Sequence, residues 1–337
     1  MKSWRISSTP GAKGLLWAGL TLLTLAVCVL SLGLGAVKLG PGEVIRALLS
    51  GDTVSTAGRI VCFVRLPRLC AALLCGAALA VSGMVIQTVL HNPLASPGVI
   101  GVNSSAGLAV ALLCAIAPSA QTLSPLAAFL GAVAGVGLVV GIAQSTGASR
   151  MTLVLAGVAV SNLLSAGIDA VVTLVPEALT GVTDFRIGGF SGVTMEALAL
   201  PAGMILPGIG AVLLLTREMD VLSLGEELAR SLGLRVRLLR FVLLMLAALL
   251  AGAAVSFGGL LGFVGLIVPH AMRRLVGEES LPLAAGSALS GAFFVTVCDL
   301  LARTVFSPYE LPVGIVLSFT GAPFFLWLLI RHRGGRA

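Results

Sequence analysis

The sequence predicts an all-α polytopic membrane protein with about ten transmembrane helices. Three observations carry that expectation. Of the 337 residues, 58% are hydrophobic and only 10% are charged, with a mean hydropathy of +1.09; soluble domains carry about a quarter charged residues. The apolar residues fall in runs close to the ~20 residues that a helix needs to cross a bilayer core. The charged residues gather between those runs, most densely at 217–240, REMDVLSLGEELARSLGLRVRLLR.

Taken in order, the first run is 15–37, preceded by Lys2, Arg5 and Lys13. It exceeds the roughly 7–15 residues of a signal-peptide core, so it reads as an uncleaved span. The runs 69–90, 97–116, 123–142, 151–175 and 197–215 follow. After the charged island come 241–257, 258–272, 281–301 and 313–330. The eighth run has few residues before Pro269 and is expected as a half-helix shielded by its neighbours. The whole chain, 1–337, reads as one transmembrane domain.

Ten spans put both termini on one side, and the charge split chooses that side. With the N-terminus inside, inner segments hold fourteen lysines and arginines and outer segments seven. Positive charge collects on the cytoplasmic side, so both termini and the island are expected there. The net charge of +7 then needs no nucleic acid. The six cysteines show no CxxC spacing and read as small apolar packing residues, while His91, His270 and His332 lie far apart in sequence.

Charge inside the spans is scarce. Asp169 and Asp299 stand near outer span ends, where a carboxylate can reach the interface, and Asp299 is spaced i, i+4 from Arg303. No chain of buried acids suggests a proton relay or a sodium site. An ion-coupled secondary transporter of a small solute is therefore the alternative reading, and an intramembrane enzyme lacks a nucleophile–base pair. Many spans carry small residues suited to close helix packing. GAALAVSG at 76–83 is echoed by GAAVSFGG at 252–259 in the opposite direction across the membrane, the mark an inverted repeat leaves.

The island cannot sit in lipid. Its inner part, 223–234, is expected as a short helix with Ser223 as cap, Glu226 at the N3 position of a capping box and Gly233 at its C-terminal end. Such a helix is either a solvated loop or a handle by which another protein moves the membrane domain.

Four stretches, in this order, narrow the choice: RLPRLCAALLCGAALAVSGMVIQTVLHNPLASPGVIGV at 65–102, LSLGEELARSLG at 222–233, GFVGLIVPHAMRRLVG at 262–277 and DLLARTVFSPYELPVGIVLSFTGAPFFLWLL at 299–329. Together they resemble the permease subunits of ABC importers for ferric siderophores, haem and cobalamin. The resemblance implies a ten-helix permease in the bacterial cytoplasmic (inner) membrane, dimeric with a second copy or a close homologue. It also implies two cytoplasmic ATPase subunits and an extracytoplasmic substrate-binding protein, with a ferric siderophore as first choice of cargo and cobalamin or haem behind it. No cofactor is expected on this chain. ATP and Mg belong to the partner ATPase, consistent with the lack of a GxxxxGK[ST] phosphate loop here.

The same resemblance assigns residues. Leu224, Gly225, Glu226, Glu227, Ala229, Arg230 and Gly233 correspond to a coupling helix seated in an ATPase groove, with Ala229 and the glycines permitting close approach. Asn92, Pro93 and Leu94 correspond to a cytoplasmic gate, with Ser149 beside Arg150 as a second gate element. Arg65, Arg68 and Arg303 correspond to outward arginines that meet acids of the binding protein, and Pro269 with His270 is expected to close the eighth helix. The topology is directly testable. In a cysteine-free background, Leu228→Cys should stay unlabelled by an impermeant maleimide added to intact cells and react after permeabilisation. Strong labelling from outside would reverse the orientation.

Overall fold

The computed structural model describes residues 10–35, 37–51, 55–146 and 150–333, and these form helices with no strand among them. Lys2, Arg5 and Ser149 lie outside the described residues. α1 (Pro10–Gly33) is the first span. A short amphipathic helix that no apolar run predicts, α2 (Pro41–Ser50), follows it, with the Glu43 carboxylate accepting from the Gly40 N–H at 2.8 Å. The second span begins well before residue 69. α3 (Thr56–Arg59), a π turn (Ile60–Arg65) and α4 (Leu66–Leu90) run on as one rod.

The third expected span is broken. Pro97–Ile100 is a 3-10 turn, Gly101 bends the chain at φ 87°, and α5 (Val102–Ile116) has only 15 residues. Gly101 tolerates that left-handed backbone because it lacks a Cβ. Next come α6 (Ser124–Ser145), α7 (Arg150–Leu174), α8 (Leu179–Ile187) and α9 (Met195–Leu214). The island forms α10 (Thr216–Ser223), α11 (Glu226–Ser231) and the start of α12 (Val236–Gly258). α13 (Val264–Val276), α14 (Ser280–Thr304) and α15 (Val313–Arg333) complete the bundle. Among the described residues, 7 helices are long and apolar enough to cross a membrane. The shorter apolar helices 102–116 and 313–326 take the third and tenth places, and α13 takes the eighth.

α4 is the axis of the bundle, packed against α12, α13 and α14. Its core face is built of small residues (Ala71, Ala72, Cys75, Ala78), all fully buried. Lipid tails are as apolar as leucine, so helices in a membrane gain most by close backbone approach. Gly76 and Gly83 provide it: a Cβ on either would fall on the carbonyl of Gly291 in α14 or Gly265 in α13. The echoed glycines of α12 meet other neighbours. Gly252 faces Ala132 and Phe129 of α6.

α13 corrects one expectation. Pro269 and His270 lie inside this helix, which runs on to Val276 before Gly277 turns it at φ 90°. Proline lacks the N–H that would bond the carbonyl of Gly265, four residues back. Gln87 of α4 replaces it, its Nε2 donating to that carbonyl at 3.0 Å. α13 starts from Phe263 in the left-handed region, φ 66°, a backbone state costing about 1–3 kcal/mol for a bulky residue. The Phe263 ring is held there against Gly321 of α15, where a Cβ would leave it no room.

The ends of α8, α12 and α15 meet at the other end of the bundle. Gly189 N–H donates to the Gly258 carbonyl at 2.9 Å, Leu260 N–H to Phe185 at 2.9 Å, and Gly314 N–H to Gly188 at 3.3 Å. These bonds satisfy irregular backbone that lipid could not solvate.

The glycine contacts give a sharp stability contrast. Gly83→Ala should cost at or above the upper end of the ~1–3 kcal/mol typical of overpacking, read as a lower thermal midpoint and poorer monodispersity in detergent. Gly141→Ala, with nothing within 4 Å of its added Cβ, should leave both unchanged.

Candidate coupling helix, gate loop and buried arginine cluster

The island is divided more finely than its sequence suggests. Ser223 Oγ donates to the Asp220 carbonyl at 2.6 Å, so it closes α10 instead of capping the next helix. Gly225 follows at φ 110°, ψ 158°, a conformation that side chains disfavour, and α11 starts after it. α11 stops in a Schellman motif: Leu234 N–H bonds the Ala229 carbonyl and Gly233 N–H bonds that of Arg230, both at 2.9 Å, with Gly233 at φ 86°.

Side-chain placement changes the expected roles. Ala229 is fully buried and packs inward, so its small size serves the seating of α11 on its own chain and not approach to a partner. The Glu226 carboxylate lies between Arg230, at 3.2 Å, and Arg240, which pins α11 to the first turns of α12. Asp220 accepts from the Ser280 N–H at 2.8 Å and ties α10 to the start of α14. What α11 and its flanks present outward is Glu227 with Leu224, Leu228 and Leu232, the leucines 60%, 57% and 66% exposed. Leu228 and Leu232 are not among the coupling residues that the resemblance assigns. Their signal was the spacing of four from Leu224.

At the same end, α4 closes on His91 in the left-handed region, φ 48°, with Asn92 N–H bonding the Gln87 carbonyl at 3.1 Å. Asn92 Oδ1 then accepts from the Leu94 N–H at 2.9 Å, a local turn that stiffens the loop. Asn92 and Pro93 are exposed, Leu94 is half-buried, and Ala95 and Pro97 are buried. Gln87 braces this loop one turn below. Its amide donates to Gly265, and its Oε1 accepts from Arg273 Nη1 of α13. Neither Gln87 nor Arg273 stood out in the sequence, because a single polar residue in an apolar run carries no pattern.

Arg65, Arg68 and Arg303 converge at the opposite end of the bundle, but they do not face outward. They are 4%, 6% and 3% exposed, with each guanidinium held by the chain itself. Arg68 Nε lies 2.9 Å from Asp299 Oδ1 and its Nη1 lies 2.6 Å from Glu310 Oε2. Arg303 Nε stands 3.1 Å from Asp299 Oδ2 as an ion pair without good hydrogen-bond alignment, while its Nη2 donates to Ser31 Oγ at 2.7 Å. Arg65 donates to the carbonyls of Leu32, at 2.6 Å, and Val37. The expected docking charges are thus internal struts joining α1, α4 and α14. Asp299 is likewise 1% exposed and does not reach an interface. Arg68 and Glu310 border a cavity of about 450 Å³ that is also lined by Asp184, Phe190 and Pro312.

An axial α4 packed on glycines, a six-residue helix offered at one end and a buried charge cluster at the other now describe the chain. The model of the FecCD transport family matches residues 23–331 of it. The chain belongs to the FecCD transport family. This FecCD protein is 43% identical to the achromobactin transport system permease protein CbrC of Dickeya dadantii (strain 3937), over 93% of the chain and 90% of that relative. It is 36% identical to the hemin transport system permease protein HmuU of Yersinia pestis, over 96% and 97% of the two chains. A solved structure described as an inward-facing conformation of a metal-chelate type ABC transporter superposes with a TM-score of 0.81 at 31% identity, covering 94% of this chain and 99% of the other. The FecCD chain is a multi-pass membrane transport protein and not an enzyme.

The charge cluster predicts an asymmetric response. Asp299→Asn leaves Arg68 and Arg303 buried without their shared counter-charge and should cost about 3–5 kcal/mol. Glu310→Gln, at a carboxylate 39% exposed, should cost under about 1 kcal/mol. Thermal midpoints of the two purified variants in one detergent check the order.

Proposed function

We propose that this chain is the transmembrane permease subunit of an ATP-driven importer. It moves an iron chelate, a ferric siderophore before haem or cobalamin, from an extracytoplasmic binding protein into the cytoplasm. The pathway forms with a second copy of the chain, and two ATPase subunits supply the work. The cargoes named for the achromobactin and hemin relatives support the chelate class. The observation that carries the coupling role is α11 itself. It is a short helix anchored by Ala229 and Glu226 that exposes Glu227 and Leu228, with exposed Leu224 and Leu232 flanking it.

Under this reading the island is cytoplasmic and ATPase closure pushes on α11. The push passes through Glu226 and Arg240 into α12 and through Asp220 and Ser280 into α14. α4 lies against both helices and ends in the Asn92–Pro93–Leu94 loop, which we assign as gate. Gln87 and Arg273 keep that loop in step with α13. Arg65, Arg68 and Arg303 hold the outer end in shape for a binding protein instead of meeting it with free charge. The ion-coupled alternative gains nothing from Asp299, which Arg68 and Arg303 already neutralise.

The test separates the two faces of α11. Leu228→Glu should leave the folded yield intact yet weaken co-purification of the ATPase subunit about thirtyfold, as expected for a central contact worth ~2 kcal/mol. Transport should fall in parallel. Unchanged ATPase association and transport in Leu228→Glu, at equal membrane expression, would overturn the coupling role.

A further inference from the structure

The start of α12 opens on a cleft of about 610 Å³, and of its arginines the transport reading leaves Arg235 and Arg237 without a role. Arg230, Arg235, Arg237 and Gln144 line its polar side, and Leu238 and Phe241 line its apolar side. Its charge is unbalanced. The carboxylate of Glu226 is already shared by Arg230 and Arg240. Among the described residues Arg237 reaches the amide oxygen of Gln144, at 3.5 Å, and neither it nor Arg235 has a carboxylate partner. The first turn of α12 adds to the positive field, since the leading N–H groups of a helix lack intrahelical acceptors and its dipole is positive there.

The apolar side decides the kind of ligand. Leu238 is 54% and Phe241 41% exposed, and both stand in the first two turns of a helix that enters the membrane. A cationic floor that continues into an exposed apolar wall at that level matches an anionic head joined to acyl chains. A soluble protein could meet the arginines but could not follow the wall into the bilayer. We propose that this cleft binds an anionic phospholipid, its phosphate between Arg235 and Arg237 and one acyl chain along Leu238 and Phe241. The proposal rests on the cytoplasmic placement of the island, because the inner leaflet is the anionic one and basic pockets at its level take lipid head groups.

The probe is phosphatidylglycerol, and the protein is the full chain purified in detergent and exchanged into phosphatidylcholine nanodiscs doped with it. Native mass spectrometry should find phosphatidylglycerol retained by the wild type through exchange into pure phosphatidylcholine. Arg235→Gln/Arg237→Gln should bind it at least about tenfold more weakly, given roughly 1 kcal/mol per arginine near an anionic surface. Arg186→Gln, an exposed arginine at the far end, should bind as wild type does. Inorganic phosphate should not displace the lipid, because it cannot replace the acyl contacts. Equal retention by the double variant, displacement by inorganic phosphate, or loss of lipid whenever the ATPase subunits bind would each overturn the site. Retention is read without transport. Leu228→Glu should keep the lipid even where it loses the ATPase, so the two proposals fail separately.

Discussion

Close backbone contact along α4 is the constraint on which the rest of the bundle depends. In water a core is held by expelling apolar surface from solvent. In lipid that gain is absent between helices, and packing of small residues takes its place. Gly76 against Gly291 and Gly83 against Gly265 bring α4 within backbone distance of α14 and α13. Once those helices touch, their remaining faces determine where α12 can lie, and α12 in turn seats α6 and α9. The weakly amphipathic spans therefore find a unique arrangement through shape more than through hydrophobic pattern.

Polar groups inside this frame are few, and they are used as connectors. Gln87 is buried because it replaces the donor that Pro269 removed from α13, and its other amide atom receives Arg273. At the far end, one carboxylate, Asp299, holds two arginines from two helices. A buried charge is tolerable only when it is paired and hydrogen-bonded, so such a cluster forms in one geometry or not at all. Both connectors involve α4. The axial helix is thus locked at one end by charge and at its island end by an amide.

The island completes the same logic outside the lipid. Part of its charge is spent internally: Glu226 on Arg230 and Arg240, and Asp220 on the Ser280 N–H. Those contacts tie α11 to α12 and α10 to α14. Leucines stay exposed on α11 and its flanks, while the arginines around the start of α12 keep an excess of positive charge. An exposed short helix and a basic cleft are thus adjacent consequences of one loop.

The sequence by itself determined what depends on neighbours along the chain. Hydropathy runs marked the apolar helices, and the island stood apart by its charge. Gly233 marked the end of α11, and the i, i+4 spacing of Asp299 and Arg303 foretold their pairing. Tertiary structure decided what depends on residues far away. Ala229 and Arg230 are adjacent in sequence, yet one is fully buried and the other exposed, and only the seating of α11 chooses between them. Arg65, Arg68 and Arg303 read as outward charges until Asp299, Ser31 and the backbone of α1 are brought around them. The eighth helix reads as closed by Pro269 and His270 until Gln87, 178 residues from Gly265 in the chain, supplies the missing donor. The reason is common to all three. A residue's chemistry is local, but whether its charge or hydrogen bond is satisfied is settled by whichever helix packs against it.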